Sequence, residues 1–409
     1  MNKQHTITDG RRHDAPMTGG LPCLLAFSCC LILSNLYGAQ PIIADIAPSI
    51  GLEPSAGGMI VTMAQIGYCL GVLFLVPLGD LVDNRRLIAG LVLGASSALL
   101  AAAFSDQASS FLAAVFFIGL FSSAVQVIIP FGVGLAPLAE RGRVIGLIAS
   151  GAILGIVLSR PASSALTGLF GWRIWYQVSA SLMALLSLYL SVRLPNTPPV
   201  SKHITYPATL RSMLSMCRHM PVLRLRLLFM ASVFSCFTMF WATAPIVLKD
   251  VLSFSHGDIA MFSLASLAAP PCAIMAGRLA DKGYGLLITI AGICMAGAAF
   301  LLTPLFGMLA ATFASAVILL DPGVHMTNVV TQQNILAMIP EARSRLNALC
   351  VAFTFCGGAA GSSLGPWIYS HYGWPAVAAT GVAILAVALG AQFSAVRGAT
   401  GGIPAPAAK

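Results

Sequence analysis

Apolar residues along this chain gather in long blocks, each closed by charges or by Gly/Pro clusters. A membrane-spanning helix needs about 20 such residues, and the blocks have that length. They predict twelve spans, at residues 21–43, 59–78, 87–104, 111–135, 144–170, 174–192, 227–248, 259–276, 286–303, 308–332, 346–369 and 375–396. A closed β-barrel would instead show short segments alternating apolar and polar positions, which stretches such as 87–104 lack. The pattern therefore predicts an all-α membrane protein. Its expected parts are an N-terminal tail (1–20), a six-helix half (21–192), a linker (193–226), a second six-helix half (227–396) and a disordered tail (397–409).

Composition agrees with this picture. Of 409 residues 58% are apolar and 9% charged, where a soluble domain carries about 25% charged residues. A water-soluble fold is excluded, because so few charges cannot cover its surface. The ten cysteines show no Cys-x-x-Cys spacing and read as small apolar fillers. Cleavage after Ala39 would put bulky Tyr37 at the minus-three position, so the first block reads as an uncleaved span.

Charge placement sets the orientation. Nineteen of the 22 Lys and Arg residues fall at one face; Arg173 and Lys249 lie opposite, and Arg160 lies within a span. By the positive-inside rule both termini and the linker are cytoplasmic, which in a bacterium means a multi-pass protein of the inner membrane. Trp172, Trp175, Trp367 and Trp374 gather at the other face, as an interfacial aromatic belt would. Asp45, just beyond span 1, reads as a solvated loop acid or as a gate charge.

The two halves echo each other. Gly79-Asp80-Leu81-Val82-Asp83 returns as Gly277-Arg278-Leu279-Ala280-Asp281 at an offset of 198, and Gly171-Trp172 returns as Gly373-Trp374 at 202. Arg141 and Arg143 likewise return as Arg343 and Arg345. Such ordered matches indicate duplication.

On these residues the sequence resembles the major facilitator superfamily of secondary transporters. The carrying motif is the loop Gly79-Asp80-Leu81-Val82-Asp83-Asn84-Arg85-Arg86 with its echo Gly277 to Lys282. Within the superfamily the chain looks most like bacterial proton-driven drug and sugar efflux permeases. It departs from their pattern in span 4, where Phe117-Ile118-Gly119-Leu120-Phe121 lacks the Arg followed by Gln-Gly. The resemblance implies two pseudo-symmetric halves around a central cavity lined by spans 1, 4, 7 and 10.

Several groups then become candidates. Asp83 with Arg86, and Asp281 with Lys282, can latch the cytoplasmic side, helped by Gly79, Gly277, Arg143 and Arg345. Gly151, Gly155 and Ser159 in span 5, and Gly357, Gly361 and Gly365 in span 11, recur every fourth residue and would allow close, sliding contact between helices.

Ionisable groups inside spans are the most informative, since each costs about 2.5–3.5 kcal/mol on insertion scales. They are Arg160 in span 5 and Asp321 with His325 in span 10. The i, i+4 spacing lets the imidazole partner the Asp321 carboxylate, which can take up and release a proton as water access alternates. Arg160 could complete that site or meet an anionic substrate. Asn35, Tyr37 and Gln40 (span 1), Gln126 (span 4), Phe240 and Trp241 (span 7) and Asn328 (span 10) are the expected cavity contacts.

No phosphate-loop motif, metal-ligand spacing or nucleophile elbow is present in the sequence. The expectation is a non-enzymatic, monomeric transporter with no cofactor or metal and no direct contact with nucleic acid. Its partners are protons, a small molecule and the lipid bilayer. Proton-coupled export is the leading reading. Two rivals stay open: a transporter-like sensor that affects gene expression, and proton-coupled uptake of an organic anion through Arg160.

Overall fold

The computed structural model describes residues 20–137, 140–196, 206–339 and 342–400, without the side chains of Pro54, Asp80 and 392–400. The N-terminal tail before Gly20, positions 197–205 of the linker and the chain after Thr400 lie outside them, as do Ala139 and Glu341. Among the described residues all regular structure is helical.

Among the described residues ten helical stretches are long and apolar enough to cross a membrane, and two of these, His256–Phe306 and Arg343–Ala391, are long enough for two crossings each. They break at Gly283 (φ 92°) and Gly373 (φ 73°), left-handed conformations that a residue without Cβ adopts readily. Twelve spans result. Spans 1 to 7 are Leu21–Ser49, Gly58–Gly79, Asn84–Ala103, Ala108–Leu135, Arg141–Phe170, Arg173–Arg193 and Pro221–Leu252. Span 8 covers 256–279, span 9 is Gly285–Phe306, span 10 is Ala310–Leu336, and spans 11 and 12 cover 343–372 and 374–400.

Local chemistry sets several of these starts. Asp83 caps span 3 by accepting from the Arg85 N–H (3.1 Å), and Ser255 with Asp258 forms a capping box on span 8. After Tyr37 the α-helix of span 1 gives way to a 3-10 turn over Gln40–Ile42, where Pro41 lacks a donor N–H, before helix resumes at Ile43. Within the expected linker lies a helix, Tyr206–His219, that buries Met213 and exposes Leu214.

The small-residue runs pack within halves and not between them, which corrects the sliding-interface expectation. A Cβ on Gly151 or Gly155 would lie 2.1 or 2.2 Å from the Ala26 or Cys30 carbonyl oxygen of span 1. On Gly357 or Gly361 it would lie 2.0 or 1.9 Å from the Ala231 or Ser235 oxygen of span 7. The glycines thus seat span 5 on span 1 and span 11 on span 7.

The aromatic-belt expectation also needs correction. Trp172, Trp175 and Trp374 are buried, and Trp367 is exposed. Trp172 meets Phe111 edge-on while Trp374 packs on Phe313, equivalent pairs in the two halves. Each follows a left-handed glycine, Gly171 or Gly373, so the ring folds under the turn and seals its own half.

The halves meet chiefly on the face away from the termini. There the Thr62 Oγ1 hydroxyl of span 2 donates to Ala359 O (3.2 Å) and lies 2.9 Å from Ser362 Oγ, both on span 11. Ser164 Oγ of span 5 donates to His256 O of span 8 (2.7 Å). Lys249 Nζ of span 7 donates to Asp45 Oδ1 of span 1 (2.8 Å), with His256 Nε2 at 3.6 Å from the same oxygen. Asp45 is therefore a clamp between halves and not a free loop acid. Lys249→Met should weaken this clamp by about 1 kcal/mol or less, given its part exposure. Hydrogen exchange of amides 43–49 and 249–256 should speed up by a few fold; unchanged exchange would show that the clamp holds nothing.

Candidate functional site

Midway through the molecule spans 1, 5, 7, 8 and 10 bring one buried cluster together. Arg160 lies on span 5, whose helix continues through Pro161, and Asp321 lies on span 10 just before Pro322. Each is 1% exposed. Arg160 Nη1 stands 4.0 Å from Asp321 Oδ2, so an ion pair joins the N-terminal half to the C-terminal half. Arg160 Nε donates to Gln40 Oε1 (3.0 Å) and Nη1 donates to Ser266 Oγ (3.3 Å).

Trp241 binds both charges. Its indole face lies 3.8 Å from the guanidinium carbon, and its Nε1–H donates to Asp321 Oδ1 (2.9 Å). Phe237 and Tyr37 flank the same guanidinium at 5.4 and 5.7 Å. Burying an unpaired charge is costly, and this arrangement offsets the cost by giving each ion a counter-ion and further partners.

His325 falls beside the pair but makes a different contact from the one its spacing suggested. Its Nδ1 lies 2.8 Å from the backbone carbonyl oxygen of Asp321 and not from the carboxylate. A carbonyl only accepts, so Nδ1 carries the hydrogen. The ring bends back along its own helix while the carboxylate turns to Trp241 and Arg160. Its ring stands nearly perpendicular to that of Phe237, with 5.5 Å between ring centres.

Next to the pair lies a cavity of about 50 Å³, walled by Arg160, Ser266, Asp321 and His325 and by Ile153, Ile156, Val157, Phe237, Ala269, Pro270 and Ala273. That space suits a few water molecules. A metabolite-sized ligand needs about 300 Å³ or more, so the site must widen to load one. Several buried polar atoms have no hydrogen-bond partner among the described residues: the donors Asn35 Nδ2, Gln40 Nε2 and Arg160 Nη2, and the acceptor Asn328 Oδ1.

The remaining candidates separate. Gln126 Nε2 donates to the Tyr68 hydroxyl (3.1 Å), and Gln126 Oε1 accepts from Asn347 Nδ2 of span 11 (3.4 Å), a polar link between halves toward the terminal side. Phe240 does not line the cavity. Successive residues on a helix point about 100° apart, so Phe240 turns from Trp241 into the C-terminal half, against Phe300, Phe313 and Trp374.

On the terminal face the proposed latch residues are local in this conformation. Arg86 Nε lies 4.0 Å from Asp83 Oδ2 three residues away, with its side chain 89% exposed. Asp281 and Lys282 are exposed on the π-helical segment Ala280–Tyr284 and make no ion pair among the described residues. Arg143 is exposed, while Arg345 donates to Ser212 of the linker helix. A Cβ on Gly79 would approach Asn84 Oδ1 to 3.0 Å, and one on Gly277 would approach Gln333 Nε2 to 3.3 Å.

Sequence reasoning missed Ser266, Phe237 and Lys249 as participants. A lone serine or phenylalanine among apolar residues carries no signal, and the Lys249–Asp45 pair joins positions 204 apart.

Residues 24–339 match the family model of the Major Facilitator Superfamily. The chain belongs to that superfamily. It is 35% identical over 377 residues to the uncharacterized transporter YgaY of Escherichia coli O157:H7, covering 91% of this chain and 95% of that one. It is 29% identical over 376 residues to the probable transporter SCO4007 of Streptomyces coelicolor, covering 91% of this chain and 86% of the other. Among solved structures it shares the fold of a bacterial homolog of the human lysosomal transporter Spinster, with TM-score 0.72 at 15% identity over 92% of this chain and 96% of that one. As a Major Facilitator protein it is a multi-pass membrane transporter, and the Arg160–Asp321 pair lies where its two halves meet.

Proposed function

We propose that this transporter moves a small organic anion together with a proton by alternating access, Arg160 binding the anion and Asp321 carrying the proton. The observation that carries this reading is the buried Arg160–Asp321 pair, held between halves by Trp241 and Gln40. In the empty site the two charges neutralise each other. An anion that takes over Arg160 leaves the carboxylate without its counter-ion, and a carboxylate so buried persists only if it gains a proton. Anion and proton then enter together and the net charge of the site stays the same.

This logic is that of symport. It favours uptake driven by an inward proton gradient over export by antiport, in which proton and substrate must compete for one group. A cationic substrate would be repelled by Arg160. The unsatisfied donors of Asn35, Gln40 and Arg160 suit an acceptor-rich ligand, with Tyr37 and Trp241, which pack on the Arg160 guanidinium, supplying flat apolar walls and Asn328 a polar edge. His325 lines the same cavity as Asp321, so water there can carry the proton to and from the carboxylate.

The one-sided distribution of Lys and Arg supports an inner-membrane orientation with cytoplasmic termini. In that orientation Asp45–Lys249 closes the periplasmic face. The latch of Asp83, Arg86, Asp281 and Lys282, with Arg143 and Arg345, would engage when the cytoplasmic face closes, Gly79 and Gly277 allowing the loops to approach.

A pH-sensitive dye trapped in proteoliposomes tests the direction of coupling. Adding the transported member of an organic-acid panel outside should acidify the lumen faster than in protein-free liposomes. Lumenal alkalinisation would mean antiport, and proton movement with organic cations or neutral sugars but with no acid would overturn the anion assignment.

A further inference from the structure

The two halves also touch through a pair of thiols that the transport reading does not use. Spans 2 and 11 run antiparallel along one seam, in which Thr62 meets Ala359 and Ser362, Gln65 abuts Gly358, and Cys69 faces Cys356. The Cys69 and Cys356 sulfurs are 3.3 Å apart although the residues are 287 positions apart in sequence. Cys69 is 4% exposed, whereas Cys356 is exposed. A disulfide needs sulfurs about 2.05 Å apart, so each would have to move by well under 1 Å.

We infer that Cys69 and Cys356 form a reversible oxidation site at which a hydroperoxide staples the two halves and arrests the transport cycle. Hydrogen peroxide suffices as the oxidant. The exposed Cys356 sulfur attacks one peroxide oxygen; the O–O bond breaks, water leaves and a sulfenic acid remains. The Cys69 sulfur then attacks the Cys356 sulfur and displaces its hydroxyl as a second water. Two thiols have lost two protons and two electrons, and one peroxide has become two waters. The bond crosses the seam that must part when the face carrying Asp45 and Lys249 opens, so the oxidised carrier is held in the present conformation. A thiol reductant reverses the step.

Counting thiols tests the site in the full-length protein in proteoliposomes. After peroxide, denaturation and alkylation, intact mass should show eight labels on the wild type, and ten again after reductant, from ten cysteines. Cys356→Ser should keep nine labels before and after peroxide, whereas Cys69→Ser should fall from nine to eight, because the Cys356 sulfenic acid then lacks its resolving thiol, and return to nine with reductant. Ten labels on the peroxide-treated wild type would overturn the proposal, as would a loss of two that persists in Cys69→Ser. Hydrogen exchange supplies the second readout and needs no substrate. Amides 43–60 and 362–372 should exchange at least about fivefold more slowly when oxidised, a local stabilisation of about 1 kcal/mol. Equal exchange in a protein shown to carry the bond would overturn the arrest.

Discussion

Arg160→Met is expected to destabilise the folded transporter more than Arg160→Met and Asp321→Asn combined. Removing the guanidinium alone leaves the Asp321 carboxylate buried with the Trp241 N–H as its side-chain partner, and breaking a buried pair in this way costs about 3–5 kcal/mol. Asparagine in the double variant keeps an oxygen that accepts from Trp241 and carries no charge, so most of that loss should return. Gln40 and Ser266 lose a donor in both variants, but they are neutral and the cost is smaller. Thermal unfolding in detergent, compared as a double-mutant cycle, measures the difference. A double variant as unstable as the two single losses added together would show that the two charges act independently. Neither variant should accumulate substrate, which separates the pair's contribution to stability from its role in coupling.

The second large effect concerns the seats between helices. Gly155→Val and Gly361→Val put a branched side chain where even a Cβ would stand 2.2 and 1.9 Å from a backbone oxygen of spans 1 and 7. The neighbour is main chain and cannot rotate away, so one helix must shift. Overpacking of this kind costs about 1–3 kcal/mol, and more where backbone is displaced. Both variants should give a sharply lower yield of monodisperse protein on size exclusion. Gly297→Ala, where nothing lies within 4 Å, is the contrast. It should be neutral or gain about 0.5–1 kcal/mol from helix propensity. Equal behaviour of Gly155→Val and Gly297→Ala would contradict the packing described.

Much of this architecture is legible from the chain because lipid imposes a coarse rule. Apolar blocks must be helices, charges must lie at their ends, and exceptions such as Arg160 and Asp321 must find each other. Trp241 could be anticipated as a polar-tipped aromatic on a central span, but its neighbour Phe240 could not be told from it by type. Only the helical phase, fixed by packing on Phe300 and Phe313, sends the two rings to different places. The His325 spacing suits a side-chain partner, but a ring N–H four residues on equally reaches the backbone carbonyl. Glycine runs reveal that a helix is approached closely without saying by which helix. Pairs that join the halves, Asp45 with Lys249 and Cys69 with Cys356, depend on the docking of the halves and leave no local trace.

The most direct measurement compares Asp321→Asn with wild type in proteoliposomes, in two assays on the same preparation. One follows accumulation of a transported organic acid driven by an imposed pH gradient; the other follows exchange of labelled for unlabelled acid at equal pH. Asparagine cannot release a proton, so gradient-driven accumulation should vanish while exchange persists. Undiminished pH-driven accumulation in Asp321→Asn would contradict the account.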